Sequence, residues 1–137
     1  MYVIFGTEIV DSEEIKEIIR ENSDFIVEKD MSKATKREDI VAYQLSISID
    51  TLKQYIEEDF ELDQVEDEEL FDELMTMADE AAMELEEVMP PESIVNARAY
   101  KWDNSDEAIK VIIAICNEEV GELKLSDVTK RLLSQID

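Results

Sequence analysis

Apolar and polar residues alternate most clearly over residues 40–49, where Leu45, Ile47 and Ile49 fall between polar side chains. A period of two places these three side chains on one face of a strand and leaves the other face exposed to solvent. Shorter apolar runs predict four further strands, at residues 2–5, 25–28, 94–102 and 109–116. The last of these runs is apolar throughout, so its periodicity alone does not distinguish a buried strand from a helix.

Helical periodicity is strongest over residues 67–88. From Leu70 to Met89, apolar residues recur at spacings of three and four in two adjacent stripes, which gives a broad apolar face suited to packing on a sheet. Pro90 and Pro91 then end the helix. Shorter helices are predicted over residues 12–22 after a cap from Asp11 or Ser12, from Asp50 or Thr51 to about 56, and from Ser126 to about 136.

The order of these elements is strand, helix, two strands, two helices, two strands, helix. This order predicts one α+β domain over residues 1–137, with a mostly antiparallel sheet of about five strands. The helices are expected to pack on one face of the sheet, and one of them is long and acidic. The content of apolar residues, 45%, is enough for a core in a chain of this length.

Acidic residues outnumber basic ones by 37 to 13, and the excess is concentrated in one part of the chain. Residues 54–97 contain 17 acids and no Lys or Arg, whereas the rest of the chain contains 20 acids and 13 bases. A solubilising surface usually intersperses both signs, and like charges at i, i+4, such as Glu69 with Glu73, destabilise a helix. We therefore interpret the segment as a functional anionic surface; a solubilising surface and adaptation to salt are the alternatives.

The polar side of the long helix, opposite its apolar stripes, is the predicted contact surface. A rise of about 1.5 Å per residue puts i and i+4 side chains about 6 Å apart, which approximates the spacing of phosphates along a nucleic-acid strand. Such a row offers Lys and Arg the same kind of target as DNA. The predicted partner-binding residues are Glu57, Glu58, Asp59, Glu69, Asp72, Glu73, Glu80, Met83, Glu84 and Glu87, with Met83 as an adaptable apolar contact.

Several kinds of catalytic and metal site are excluded by composition. The chain has no His, one Cys (Cys116) and two Gly, which excludes His-based triads, His-ligated metals, thiolate zinc sites within one chain and phosphate-cradling loops. Asp59, Glu61 and Asp63 match the start of a calcium loop, but Gln64 stands where such a loop needs Gly. We expect a non-enzymatic protein without a cofactor or a metal.

Net charge and hydropathy narrow the choice of partner and location. A formal charge of −24 opposes direct binding to nucleic acid or to anionic membranes, so a basic protein is the expected partner. No apolar run approaches the roughly 18 residues of a membrane span. Residues 2–5 follow Met1 without a basic leader, so no signal peptide and a cytoplasmic location are expected. The oligomeric state stays open, and a homodimer is one alternative.

In size, charge and expected location, the chain resembles phage-encoded DNA mimics of the anti-restriction and anti-CRISPR type. The resemblance rests on the acidic segment, about a third of the chain, and on no shared motif, so it assigns no site residue. It implies an inhibitor that occupies the basic nucleic-acid-binding surface of a host-defence nuclease. Small acidic immunity proteins that neutralise nuclease toxins are similar in the same way, and an acidic adaptor or oligomerisation module is the third hypothesis.

Overall fold

A computed structural model describes residues 1–57 and 67–136 of the chain. The strands are β1 Tyr2–Phe5, β2 Glu8–Asp11, β3 Ile26–Asp30, β4 Ile40–Ser48, β5 Ser93–Asp103 and β6 Ala108–Asn117. The helices are α1 Ser12–Asn22, α2 Ile49–Glu57, α3 Asp67–Met83 and α4 Glu122–Ser134, with short 3-10 helices at Lys33–Thr35 and Glu84–Val88. None of the helices within the described ranges is long and apolar enough to cross a membrane.

The main sheet contains four strands in the order β3, β4, β6, β5, and all neighbouring strands are antiparallel. β6 is buried along its whole length because it lies between two strands and carries apolar side chains on both faces. The edge strands β3 and β5 each contain a bulge, between Val27 and Lys29 and between Ala99 and Lys101. A bulge twists an edge strand, which hinders edge-to-edge pairing with another chain.

Two hydrophobic cores lie on opposite faces of this sheet. The core beneath α1, α2 and α3 includes Val41 and Tyr43 of β4, whereas the core beneath α4 includes Ile40 and Ala42. Successive residues of a strand point to opposite faces, so one strand supplies both cores. The hydroxyl of Tyr43, which is fully buried, donates to the backbone carbonyl of Ser12 and joins β4 to the start of α1.

The predicted α+β fold with helices packed on an antiparallel sheet is confirmed, and two details differ. First, β1 does not join the main sheet: it pairs with β2, a strand that was not predicted, in a separate hairpin around Gly6. The main sheet therefore has four strands instead of about five. Second, the helices do not all lie on one face, because α4 packs on the face opposite α1, α2 and α3. A strand that is apolar at almost every position, as β6 is, needs cover on both faces.

The long acidic helix ends sooner than predicted. α3 is regular to Met83 and then tightens into the 3-10 helix Glu84–Val88, a common way for a helix to finish. Its apolar stripe is confirmed in part: Leu74, Ala78 and Ala82 are fully buried, and α3 packs on β5 and β6. Because the sheet already covers this stripe, it is not available as a seam between two copies of the helix.

Two apolar positions of the predicted stripes, Phe71 and Val88, are exposed. Phe71 is 41% exposed, and its ring stacks parallel on that of Trp102 with a centroid distance of 5.6 Å. Val88 is 38% exposed at the other end. The other apolar positions of the predicted stripes are buried or half-buried, so the broad apolar face is confirmed except at these two positions.

The predicted starts of α1 and α4 depended on capping residues, and only the first of them is confirmed. The start of α1 is confirmed, because a carboxylate oxygen of Asp11 accepts from the backbone N–H of Glu13 at 3.1 Å. The prediction that α4 starts after a Ser126 cap is wrong. That helix begins at Glu122, directly after Gly121, whose φ of 92° supplies a backbone conformation that other residues rarely adopt.

Candidate partner-binding surface

Most of the described carboxylates of the long helix point away from the sheet. Residues 67–88 carry ten acids and no base, and the buried stripe of α3 fixes which side of the helix meets solvent. The predicted contact residues found exposed are Glu69, Asp72, Glu73, Glu80, Met83, Glu84 and Glu87. Of the remaining predicted contacts, Glu57 is the last residue of α2, and Glu58 and Asp59 lie outside the described residues.

These carboxylates have no compensating cations in the parts of the chain that the structure describes. Seven ion pairs are found there, and none includes a side chain from residues 67–88. Glu69 and Glu73 repel each other at i, i+4. Glu80 and Glu84 do the same near the C-terminal end of α3, where the helix dipole also disfavours negative charge. The surface therefore destabilises the fold that presents it.

Asp79 is an exception among the α3 carboxylates. It is half-buried, and its Oδ1 accepts a short hydrogen bond from the backbone N–H of Ala99. Ala99 stands at the bulge of the edge strand β5, where the regular pairing with β6 is interrupted. Asp79 thus attaches α3 to the sheet, and its role is structural.

Three of the predicted contacts border a cleft of about 490 Å³ between α3 and the end of α1. Glu80, Glu84 and Glu87 line one side, and Asp24, which follows α1, lines the other. Tyr55 of α2 also lines the cleft, and its hydroxyl donates a short hydrogen bond to Asp24. Burial first, and then this hydrogen bond, raise the pKa of Tyr55 to about 12, so the phenol is neutral at physiological pH.

Sequence patterns did not identify Asp24 or Tyr55 as part of this site. Tyr55 lies in α2 and Asp24 follows α1, and neither residue falls in a motif. Their only local signal is that both lie in segments predicted as helical or next to one. Val88 was predicted to face the core, yet it lines the cleft with 38% of its surface exposed.

The titratable groups that line the cleft are carboxylates and the phenol of Tyr55. In the described part of the chain, no group of three or more Cys, Asp or Glu side chains is placed to hold a metal ion. Cys116 is buried beneath α4, and burial raises the pKa of its thiol to about 12, so it is protonated at neutral pH.

The surface therefore consists of an exposed row of carboxylates and an acid-rimmed cleft at one end of that row. Both features suit the binding of a cationic group. Comparison with family models, with curated protein sequences and with solved structures finds no match to this chain.

Proposed function

We propose that this protein is a non-enzymatic inhibitor that occupies the basic nucleic-acid-binding surface of a nuclease or another nucleic-acid enzyme, as a DNA mimic. The observation that carries the proposal is the exposed row of carboxylates from Glu69 to Glu87, which no described side chain neutralises. Such an inhibitor would act in the cytoplasm, which is the host cytoplasm if a phage encodes it.

Electrostatics explains how such a row would compete with nucleic acid. Carboxylates accept charge-assisted hydrogen bonds from Lys and Arg, as phosphates do. A chain with a formal charge of −24 also attracts a basic surface over a long range, which speeds association. Salt screens both effects, with a Debye length of about 8 Å at physiological ionic strength, so binding should weaken as salt rises.

The cost in stability also supports binding as the role of this surface. Repulsion between Glu69 and Glu73, and between Glu80 and Glu84, could be relieved by a single Lys in each pair. The chain has no base anywhere from residue 54 to residue 97. A binding surface for cations explains why acids are kept at these positions, whereas solubility would be served equally well by mixed charges.

The test starts with capture of partners from cell lysate at low and at high salt, followed by an assay of the captured enzyme with its nucleic acid. A triple variant, Glu73→Lys with Glu80→Lys and Glu84→Lys, should lose both binding and inhibition. Duplex DNA should compete with the wild-type protein for the enzyme.

A matched control variant distinguishes the effect of the α3 surface from the effect of net charge. Glu8, Glu118 and Glu119 are exposed and lie outside α3, and their replacement by Lys changes the net charge equally. This control triple should bind and inhibit as wild type does. Equal inhibition by both triple variants, or capture of an enzyme that still binds its nucleic acid, would refute the proposal. Circular dichroism should show that both variants keep their helix content.

A further inference from the structure

We infer, taking the partner from the proposed function, that the cleft between α3 and the end of α1 receives an arginine or lysine side chain of that partner. The side chain is carried on an amphipathic segment whose apolar residues cover the exposed apolar surface beside the cleft. The cleft is thus the anchor point at one end of the carboxylate row.

The negative charge at the rim of the cleft favours the binding of a cation. Asp24, Glu80, Glu84 and Glu87 line the cleft, and none of the described residues that line it is a base. α1 and α3 both border the cleft with their C-terminal ends, where a helix dipole is negative. The last turn of α3 contains no base that would offset this potential, and the one base in the last turn of α1, Arg20, pairs with Glu17.

The interior of the cleft is lined by apolar side chains. A surface that bound its partner through charge alone would not need them. Phe25, Ile47 and Leu85 form buried parts of its lining, and Met77 and Ala81 are half-buried in its wall. Lys and Arg have long aliphatic stems that pack on apolar surface while the charged head stays at a polar rim. The combination of apolar lining and acidic rim therefore matches these two side chains.

Exposed apolar residues beside the cleft favour a protein segment over a small free cation. Met83 and Val88 are each 38% exposed, at the end of α3 and in the 3-10 helix that follows it. A polyamine or a metal ion in the cleft would leave Met83 in water. A segment with apolar residues next to its basic one would cover it, as amphipathic helices do when they bind in grooves.

The inference can be tested on the full chain with defined probes and isothermal titration calorimetry. The main probe is a synthetic helical peptide with arginines on one face and leucines on the other. The comparison probes are the same peptide with serine in place of leucine, and spermidine. The arginine–leucine peptide should bind at least about tenfold more tightly than either comparison probe.

Ala81→Trp fills the cleft without changing charge, and Thr76→Trp is its control, because Thr76 is exposed on α3 and does not line the cleft. Ala81→Trp should weaken binding of the arginine–leucine peptide about tenfold or more, and Thr76→Trp should leave it unchanged. If Ala81→Trp does not fold, the pair Glu84→Gln and Glu87→Gln, which alters only exposed groups, should weaken binding instead.

Three results would overturn the inference: equal binding of the serine and leucine peptides, equally tight binding of spermidine, or no effect of the cleft variants. Its failure is distinguishable from failure of the proposed function. If Ala81→Trp still inhibits the captured enzyme while the triple Lys variant does not, only the cleft inference fails. If the peptide occupies the cleft but no nucleic-acid enzyme is inhibited, only the proposed function fails.

Discussion

The two sides of the main sheet carry different patterns of charge. On the α3 side, residues 67–88 hold ten acids and no base. On the α4 side, residues 33–39 and 122–134 together hold six bases and four acids. The guanidinium of Arg131 in α4 donates a short hydrogen bond to the Thr35 carbonyl and so joins these two segments. The α3 segment and the α4 segments thus differ in charge, although α1 and α2, on the α3 side, contain Lys16, Arg20 and Lys53.

The two sides also differ in how carboxylates are used. On the α4 side, Arg37 donates twice to Asp39, at 2.7 and 2.8 Å, and this pairing holds the pKa of Asp39 below its usual value. On the same face of the sheet, Lys110 bridges Glu28 and Asp106. Asp39, Glu28 and Asp106 are thus paired with cations, whereas no ion pair in the described part of the chain includes a carboxylate of α3; exposed acids on the α4 side, such as Glu122 and Asp127, are likewise unpaired there. What distinguishes the α3 side is the length of its acidic run without a base, and the proposed function rests on that run.

The largest change in stability is expected from Lys110→Met, which removes the cation that pairs with Glu28 and Asp106. The side chain of Lys110 is only 10% exposed, at 3.3 Å from Glu28 and 2.8 Å from Asp106. Its loss should cost about 2 kcal/mol in urea denaturation, because both carboxylates lose their cation, although they can recover some water and Glu28 keeps the hydrogen bond from Ser46. Lys101→Met should cost under about 0.5 kcal/mol, because Lys101 is 47% exposed and pairs at 3.7 Å. Equal losses would contradict the contrast.

The same variant has a defined pH dependence. Burial tends to lower the pKa of Lys110, but hydrogen bonds to Asp106 and Glu28 outweigh burial and raise it above the ordinary 10.5. A raised pKa means that the folded state holds the proton more tightly than the unfolded state. The contribution of Lys110 to stability is therefore complete below pH 10.5 and is lost as the pH rises above it. The stability difference between wild type and Lys110→Met should shrink over that alkaline range.

Intermediate changes in stability are expected at Asp79 and Glu80, which are neighbours on α3. Asp79 bonds the backbone of the sheet, whereas Glu80 is exposed. Asp79→Ala should destabilise by about 1 kcal/mol, because the backbone N–H of Ala99 loses its acceptor. Glu80→Ala should be neutral or slightly stabilising, because it removes repulsion with Glu84 and exposes no unpaired group. Thermal unfolding followed by circular dichroism measures both. A larger loss for Glu80→Ala than for Asp79→Ala would contradict the assignment.

Glu73→Lys has the smallest expected effect on stability, and it tests the proposed function most directly. Glu73→Lys converts the Glu69 repulsion into an i, i+4 attraction on the exposed side of α3 and should stabilise by about 0.3–0.5 kcal/mol. The same change should weaken binding to the captured partner. Glu118→Lys, an equal change of charge outside α3, should leave that binding unchanged. A variant that is both more stable and a better binder would refute the proposed role of the surface.

Local patterns were enough to predict much of the fold. Alternation over residues 40–49 identified β4, and Asp11 identified the start of α1, because period and capping depend on residues that are close along the chain. The apolar run at 109–116 identified β6 but did not reveal that its two faces would need separate cover. The base-free acidic segment is a property of the sequence alone, and no packing is needed to see it.

Only the tertiary structure decided which distant segments meet. It paired β1 with β2 away from the main sheet, placed α4 opposite α3, and brought Asp24 and Tyr55 to the cleft beside Glu80. It also distinguished Asp79, which bonds the β5 backbone, from its exposed neighbour. The physical reason is that charge and periodicity are local quantities, whereas burial and hydrogen bonding between distant segments depend on how the helices pack on the sheet.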